Sequence, residues 1–162
     1  MLEIRPEPPR QPEIIALLEA SDAFSEALYP PESNHLLDVS SLEKPTVRFF
    51  VARRDGIAIA CGSIVLANDG TAEIKRMFVT EAARGSGVAP ALMATLEQAA
   101  RAEGVTALRL ETGIHSHAAL RLYERHGFAR RGPFADYWDD PLSVFMEKPL
   151  VPAKGTSQKD PA

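Results

Sequence analysis

A mixed α/β fold, with one sheet flanked by helices, is the class this sequence predicts, and three observations carry it. Three β-rich runs between Val47 and Val79 follow one another through Asp-Gly turn signals, the mark of an antiparallel meander. From Arg84 the pattern changes to apolar residues at helical spacing, alternating with further β-rich runs. Between Thr46 and Gly132 only Pro90 appears, whereas prolines crowd both ends, so this interval is the structural centre.

The elements follow in order. Leu2 to Arg5 reads as a short strand. Glu13 to Leu28, with Ile14, Leu17, Leu18, Phe24 and Leu28, suits one or two amphipathic helices. Val47 to Arg53 and Ile57 to Leu66 are strands joined through Asp55-Gly56, and Asn68-Asp69-Gly70 leads into a third, Thr71 to Val79. In that third strand Ile74 and Phe78 share one parity and Met77 and Val79 the other, which a β-bulge or burial on both faces would reconcile. Arg84-Gly85-Ser86-Gly87 opens a helix with Val88, Leu92, Leu96 and Ala99 on one face, stopped by Gly104. Val105 to Thr112 is a strand, Ser116 caps a helix running through His126, Gly127 ends it, and Ser143 to Lys148 is the last strand.

The chain has 162 residues, 45% apolar and 25% charged, the balance of one globular domain with a real core. That domain is expected over residues 1–150, with the polar stretch 151–162 as a disordered tail. A net charge of -4 supplies no overall positive field for nucleic acid or an anionic membrane, so an anionic ligand must be held locally. A lone cysteine, Cys61, cannot form an internal disulfide and reads as a small core residue; prolines stand where a signal peptide would have its apolar run. A cytoplasmic protein is the expectation. His115-x-His117 lacks companion ligands at metal spacing, so no metal is expected.

The chemistry concentrates at Arg84-Gly85-Ser86-Gly87-Val88-Ala89. Two glycines let a ligand approach the backbone, the first-turn amides of the helix point outward, and Arg84 adds a charge, which together favour a phosphate or pyrophosphate. The same glycines could serve turn geometry alone. A dinucleotide-binding fold is disfavoured, because its third glycine would fall at Pro90 and a meander precedes the motif.

Arg84-x-x-Gly87-x-Ala89, preceded by Ala72-Glu73-Ile74-Lys75-Arg76-Met77-Phe78-Val79 and followed by Leu122-Tyr123 and Gly127-Phe128, resembles the GNAT superfamily of acetyl-CoA-dependent N-acetyltransferases. The resemblance covers roughly Arg48 to Lys148. It implies a mostly antiparallel central sheet with helices on both faces, acetyl-CoA as co-substrate, and direct attack by a primary amine in a ternary complex. A non-catalytic CoA-binding module on the same scaffold is the competing reading.

Carried onto this chain, the resemblance places the pyrophosphate on Arg84, Gly85, Ser86, Gly87, Val88 and Ala89, and the pantetheine arm along Met77, Phe78 and Val79. The Met77 amide would polarise the acetyl carbonyl. Ser116 stands where an asparagine often touches the pantetheine. Tyr123 is the implied general acid toward the departing sulfur, though a tyrosine beside an apolar stripe also serves packing. Glu73 and Glu111 compete for the general base, with Glu73 narrowly favoured by its strand position, and either can instead be an ordinary paired charge. The acceptor is placed between Tyr29, Glu32 and His35 on one side and Tyr137 and Trp138 on the other, whose neighbouring acids would suit a cationic small-molecule or peptide amine. Pairing of two copies through the last strand into a homodimer is compatible with the family.

Overall fold

The computed structural model describes residues 1–34 and 36–151. His35 and all but the first residue of the expected tail, 151–162, therefore lie outside the described residues.

Seven strands form one sheet: β1 (Leu2–Pro6), β2 (Val47–Arg54), β3 (Ile57–Leu66), β4 (Thr71–Val79), β5 (Ala107–Gly113), β6 (Ala129–Arg131) and β7 (Ser143–Pro149). Their spatial order is β1-β2-β3-β4-β5-β7-β6. Every neighbouring pair is antiparallel except β4 and β5. The first four strands are the meander, and at the β2–β3 turn Asp55 and Gly56 both take positive φ, 52° and 84°, as a tight two-residue hairpin turn requires.

The helices α1 (Pro12–Leu28), α2 (Val39–Leu42), α3 (Val88–Ala102) and α4 (His117–Arg125) divide between the two faces. Ile14, Leu17 and Leu18 of α1 and Leu42 of α2 pack with Phe49, Val51 and Cys61 on one face. On the other, Val88, Leu92, Met93 and Leu96 of α3 and Leu120 and Tyr123 of α4 cover Ala52, Ala60, Ile64 and Leu108. Alternate residues of β2 and β3 thus serve opposite cores, the period-two logic of a sheet covered on both sides. Cys61 is fully buried on the α1 face, where its thiol donates to the Arg76 carbonyl at 3.4 Å and burial pushes its pKa up to about 12.

Against the sequence expectations, Pro12–Leu28 is one unbroken helix. The short helix α2 and the three-residue strand β6 were not legible, because neither is long enough to show a periodicity. Ser116 precedes α4 but makes no capping hydrogen bond; its hydroxyl pairs instead with the Tyr29 hydroxyl at 2.9 Å.

β4 carries a bulge, one of the two arrangements that its broken alternation allows. Cys61 opposes Phe78 and Ser63 opposes Lys75, so Gly62 alone faces both Arg76 and Met77. Arg76 takes the extra residue's place at φ 59°. The parity switches there: Ile74, Met77 and Val79 join the α3 core, while Phe78 joins the α1 core. A Cβ on Gly62 would approach Leu96 Cδ1 at 3.2 Å and Met77 Sδ at 3.3 Å, so its missing side chain is the room in which α3 meets the bulge.

Candidate active site

β4 and β5 pair only from Thr71–Ala107 to Glu73–Arg109. Beyond that point β4 bends at its bulge while β5 stays paired along its whole length with β7 on its other edge, so Ile74–Val79 and Leu110–Gly113 diverge. A cleft of about 730 Å³ opens between them. Both strands, α1, the turn before α3 and α4 line it.

At one side of the cleft lies the glycine turn. Gly85 and Gly87 hold φ of 77° and 86°, Gly87 is the residue just before α3, and a Cβ built on either meets nothing within 4 Å. The space in front of these backbones is open. The amides of the helix's first turn have no intrahelical acceptor and carry the positive end of its dipole, and Pro90 in that turn forfeits no helical bond. Arg84 lines the cleft, bonds the Val79 carbonyl through Nε at 3.3 Å, and lays its guanidinium 5.1 Å over the Phe24 ring of α1. These donors fit a diphosphate. Ser86 and Val88 can contribute only their backbones, since the Ser86 hydroxyl turns to the Ala83 carbonyl and the Val88 side chain is buried in the α3 core. Gly85, Gly87 and Ala89 line the cleft directly, as do Met77, Phe78 and Val79.

Deeper in, Tyr123 and Glu111 line the same cavity. Tyr123 is buried against Phe128, ring edge to face at 5.8 Å, and burial followed by the Glu111 charge pushes its phenol well above the usual range. It therefore stays protonated. Glu111 is half-buried at the end of β5; loss of water raises its carboxyl from an ordinary 4.5 to about 7, Glu73 and Asp140 add repulsion, and the Ser143 hydroxyl at 2.7 Å and Lys75 pull the other way. Glu73 is placed differently. It sits where β4 and β5 still pair, outside the cleft lining, and its carboxylate accepts from the Tyr137 phenol with Lys75 Nζ 3.5 Å away.

Of the expected acceptor residues, Tyr29 lines the cleft and the others described do not. Its hydroxyl meets Ser116 at 2.9 Å and accepts from the His115 amide at 3.0 Å, and its ring stacks on His115. This strap ties the end of α1 to the β5–α4 junction. Gly113 makes room for it, since a Cβ there would fall 1.9 Å from the Tyr29 hydroxyl. Glu32 is exposed off the lining, and Trp138 is 51% exposed. Tyr137 turns inward, packing its ring on Phe134 and Phe145 and holding Lys75 at 2.6 Å and Glu73 through its hydroxyl. The expected wall of carboxylates is thus not there: Glu111 is the lone acid among the lining residues, beside Lys75, Arg76, Arg84 and Arg125. The aromatic loop closes on its own apolar contacts, with Asp136 and Asp139 exposed and Asp140 buried off the cleft lining. Lys75, Arg76, Phe24 and Leu36 line the site without having been foreseen, because the bulge and the fold of the segment after α1 decide their placement.

The sheet splays beside a glycine turn, with a protonated phenol and a half-buried carboxylate in the gap. Residues 14–128 match the Acetyltransferase (GNAT) family, and the chain belongs to it. It is an acetyltransferase. It is 49% identical over 145 residues to an IAA acetyltransferase of Azospirillum brasilense, covering 89% of this chain and 95% of that one. With the N-acetyltransferase YsnE of Bacillus subtilis, whose function is uncharacterised, it shares 37% identity over 75% of this chain and 82% of the other. A solved Klebsiella pneumoniae structure, provisionally assigned as an acyl-CoA N-acyltransferase, superposes with a TM-score of 0.80 at 42% identity, covering 93% of this chain and 99% of that one. The PaiA N-acetyltransferase of Thermoplasma acidophilum, solved in complex with coenzyme A, shares the fold at a TM-score of 0.73 and 16% identity, over 93% and 99% of the two chains. Among the described residues no helix is long and apolar enough to cross a membrane, and no metal-binding cluster is present.

Proposed function

We propose that this chain moves the acetyl group of acetyl-CoA onto a primary amine by direct attack within a ternary complex, with Glu111 as general base and Tyr123 as general acid. The observation that carries the reading is that these two groups share the gap between β4 and β5, one close to half-ionised at neutral pH and the other held as a proton donor.

Acetyl-CoA supplies the acetyl thioester, with its diphosphate at the Gly85–Ala89 amides and Arg84. Glu111 accepts the proton that the amine loses as its nitrogen bonds to the acetyl carbon. Met77 lies on the length of β4 that β5 does not pair, where its amide would donate to the carbonyl oxygen as charge gathers there. As the carbon–sulfur bond breaks, Tyr123 gives its proton to the sulfur, leaving free CoA thiol and the N-acetylated amine. The tyrosine then recovers a proton from Glu111 or water, so the cycle closes without a covalent enzyme species. Glu73 is spoken for by Tyr137 and Lys75, and serves this reading by repelling charge from Glu111.

The test is thiol release from acetyl-CoA across a panel of primary amines, followed against pH. Wild-type kcat/KM is expected to rise through pH about 7, the value set for Glu111, and Glu73→Gln to keep that rise while Glu111→Gln loses it. A pH profile abolished by Glu73→Gln and untouched by Glu111→Gln would reverse the assignment.

A further inference from the structure

Arg76 carries a side chain that the described residues leave unfinished. Its backbone occupies the left-handed region at the β4 bulge, its side chain is only 4% exposed, and it lines the cleft. Nη1 donates to Asp22 of α1 at 2.6 Å, which fixes the guanidinium against that helix. Nε is buried with no hydrogen-bond partner among the described residues. A buried donor without an acceptor and a non-glycine residue at positive φ are each costly, and the two fall together at one position. Such a combination in a cleft is what a ligand-binding group looks like before its ligand arrives.

The surroundings indicate which ligand. Arg84, at the glycine turn, is matched by a diphosphate, and Lys75 is engaged by Tyr137 and Glu73. Arg76 has its charge paired by Asp22 through Nη1, and the edge at Nε is what remains without an acceptor. The wall beside it is α1 and the segment that follows, where Phe24, with Arg84 over one face of its ring, and Leu36 line the cleft while 44% and 39% exposed, apolar surface still open to whatever enters. A guanidinium held by one nitrogen still offers a planar edge of the kind that pairs with a carboxylate.

We infer that the acceptor is a small amine that also bears a carboxylate, its carboxylate on the free edge of Arg76, its apolar body against Phe24 and Leu36, and its amine toward Glu111. This inference rests on the acetyltransfer reading above. It narrows the cationic small-molecule or peptide amine that the acidic loops had suggested, because those acids do not line the cleft.

Matched pairs test it: phenylalanine against phenylalanine amide and phenethylamine, leucine against leucinamide, and 4-(aminomethyl)benzoate against benzylamine, each as acceptor in the thiol-release assay. In the amino-acid amides the amine is less basic and more readily deprotonated, so chemistry alone biases those comparisons against the inference. In at least one pair the carboxylate-bearing member is expected to show a kcat/KM at least tenfold higher, about 1.4 kcal/mol of discrimination. Arg76→Met should bring that ratio close to one, chiefly through KM, and Arg76→Lys should keep part of it. Thiol release that proceeds with ratios of one or less in every pair overturns the inference and leaves acetyltransfer standing, and this holds for wild-type protein even if Arg76→Met does not fold. A ratio untouched by Arg76→Met, in a variant that still binds acetyl-CoA, also overturns it. Absence of thiol release from every amine removes the acetyltransfer reading and the inference together.

Discussion

Replacing Glu111 with glutamine should make the protein more stable as it makes it less active, and the size of both effects follows from the burial of one carboxyl. In the folded chain that carboxyl titrates near 7 instead of 4.5. Between these pH values the folded state holds a proton that the unfolded state has already lost. Stability therefore falls as pH rises through this window, and is restored below pH about 4.5, where both states are protonated. A shift from 4.5 to about 7 corresponds to about 3 kcal/mol at 1.36 kcal/mol per unit. Glutamine has nothing to titrate and stays neutral throughout. The stability of Glu111→Gln relative to wild type should thus improve by about 3 kcal/mol between pH 4.5 and pH 8, measured by urea unfolding of both proteins at each pH. Comparing the two proteins at each pH cancels the titration of every other group they share. Over the same range the variant's kcat/KM should lose the rise that wild type shows through pH about 7. A stability difference that stays constant with pH to within about 0.5 kcal/mol would show that the carboxyl is not held neutral by burial, and the base assignment would lose its physical footing.

Other outcomes are equally specific. Tyr123→Phe should lower kcat on the order of 100-fold with little change in acetyl-CoA affinity, read by steady-state kinetics beside calorimetric titration, because it removes only a proton donor. Gly87→Val should weaken acetyl-CoA binding at least tenfold by the same titration, since a β-branched residue at φ 86° forces the turn to rearrange in front of its amides. Gly113→Ala should raise the acceptor KM more than that of acetyl-CoA, because its Cβ would lie 1.9 Å from the Tyr29 hydroxyl and expel the strap.

Much of the scaffold can be read from residues whose local chemistry admits one outcome. Asp55-Gly56 is a hairpin because both positions must reach positive φ, and the broken alternation of Ile74, Met77, Phe78 and Val79 narrows β4 to a bulge or to burial on both faces, of which the sheet shows both. The glycine turn before α3 is legible for the same reason. The competition between Glu73 and Glu111 is not. Both are strand carboxylates, and what separates them is the point at which β4 and β5 stop pairing, just after Glu73 and Arg109, where β4 approaches its bulge against β3. Ser116 misled in another way: the local rule for a helix cap is sound, but a hydroxyl 87 positions away in the chain competes for it. The aromatic loop was expected to open toward the acceptor, whereas Phe134 and Tyr137 gain more by packing on Phe145.

The burial of Cys61 has a practical consequence at the bench. The chain's one sulfhydryl is sealed between the sheet and α1, and at neutral pH essentially none of it is ionised. A disulfide reagent added to the folded enzyme meets no competing nucleophile from the protein, so every chromophore liberated during turnover reports one molecule of free coenzyme. By the same property, sudden labelling of the polypeptide would signal that the sheet has opened.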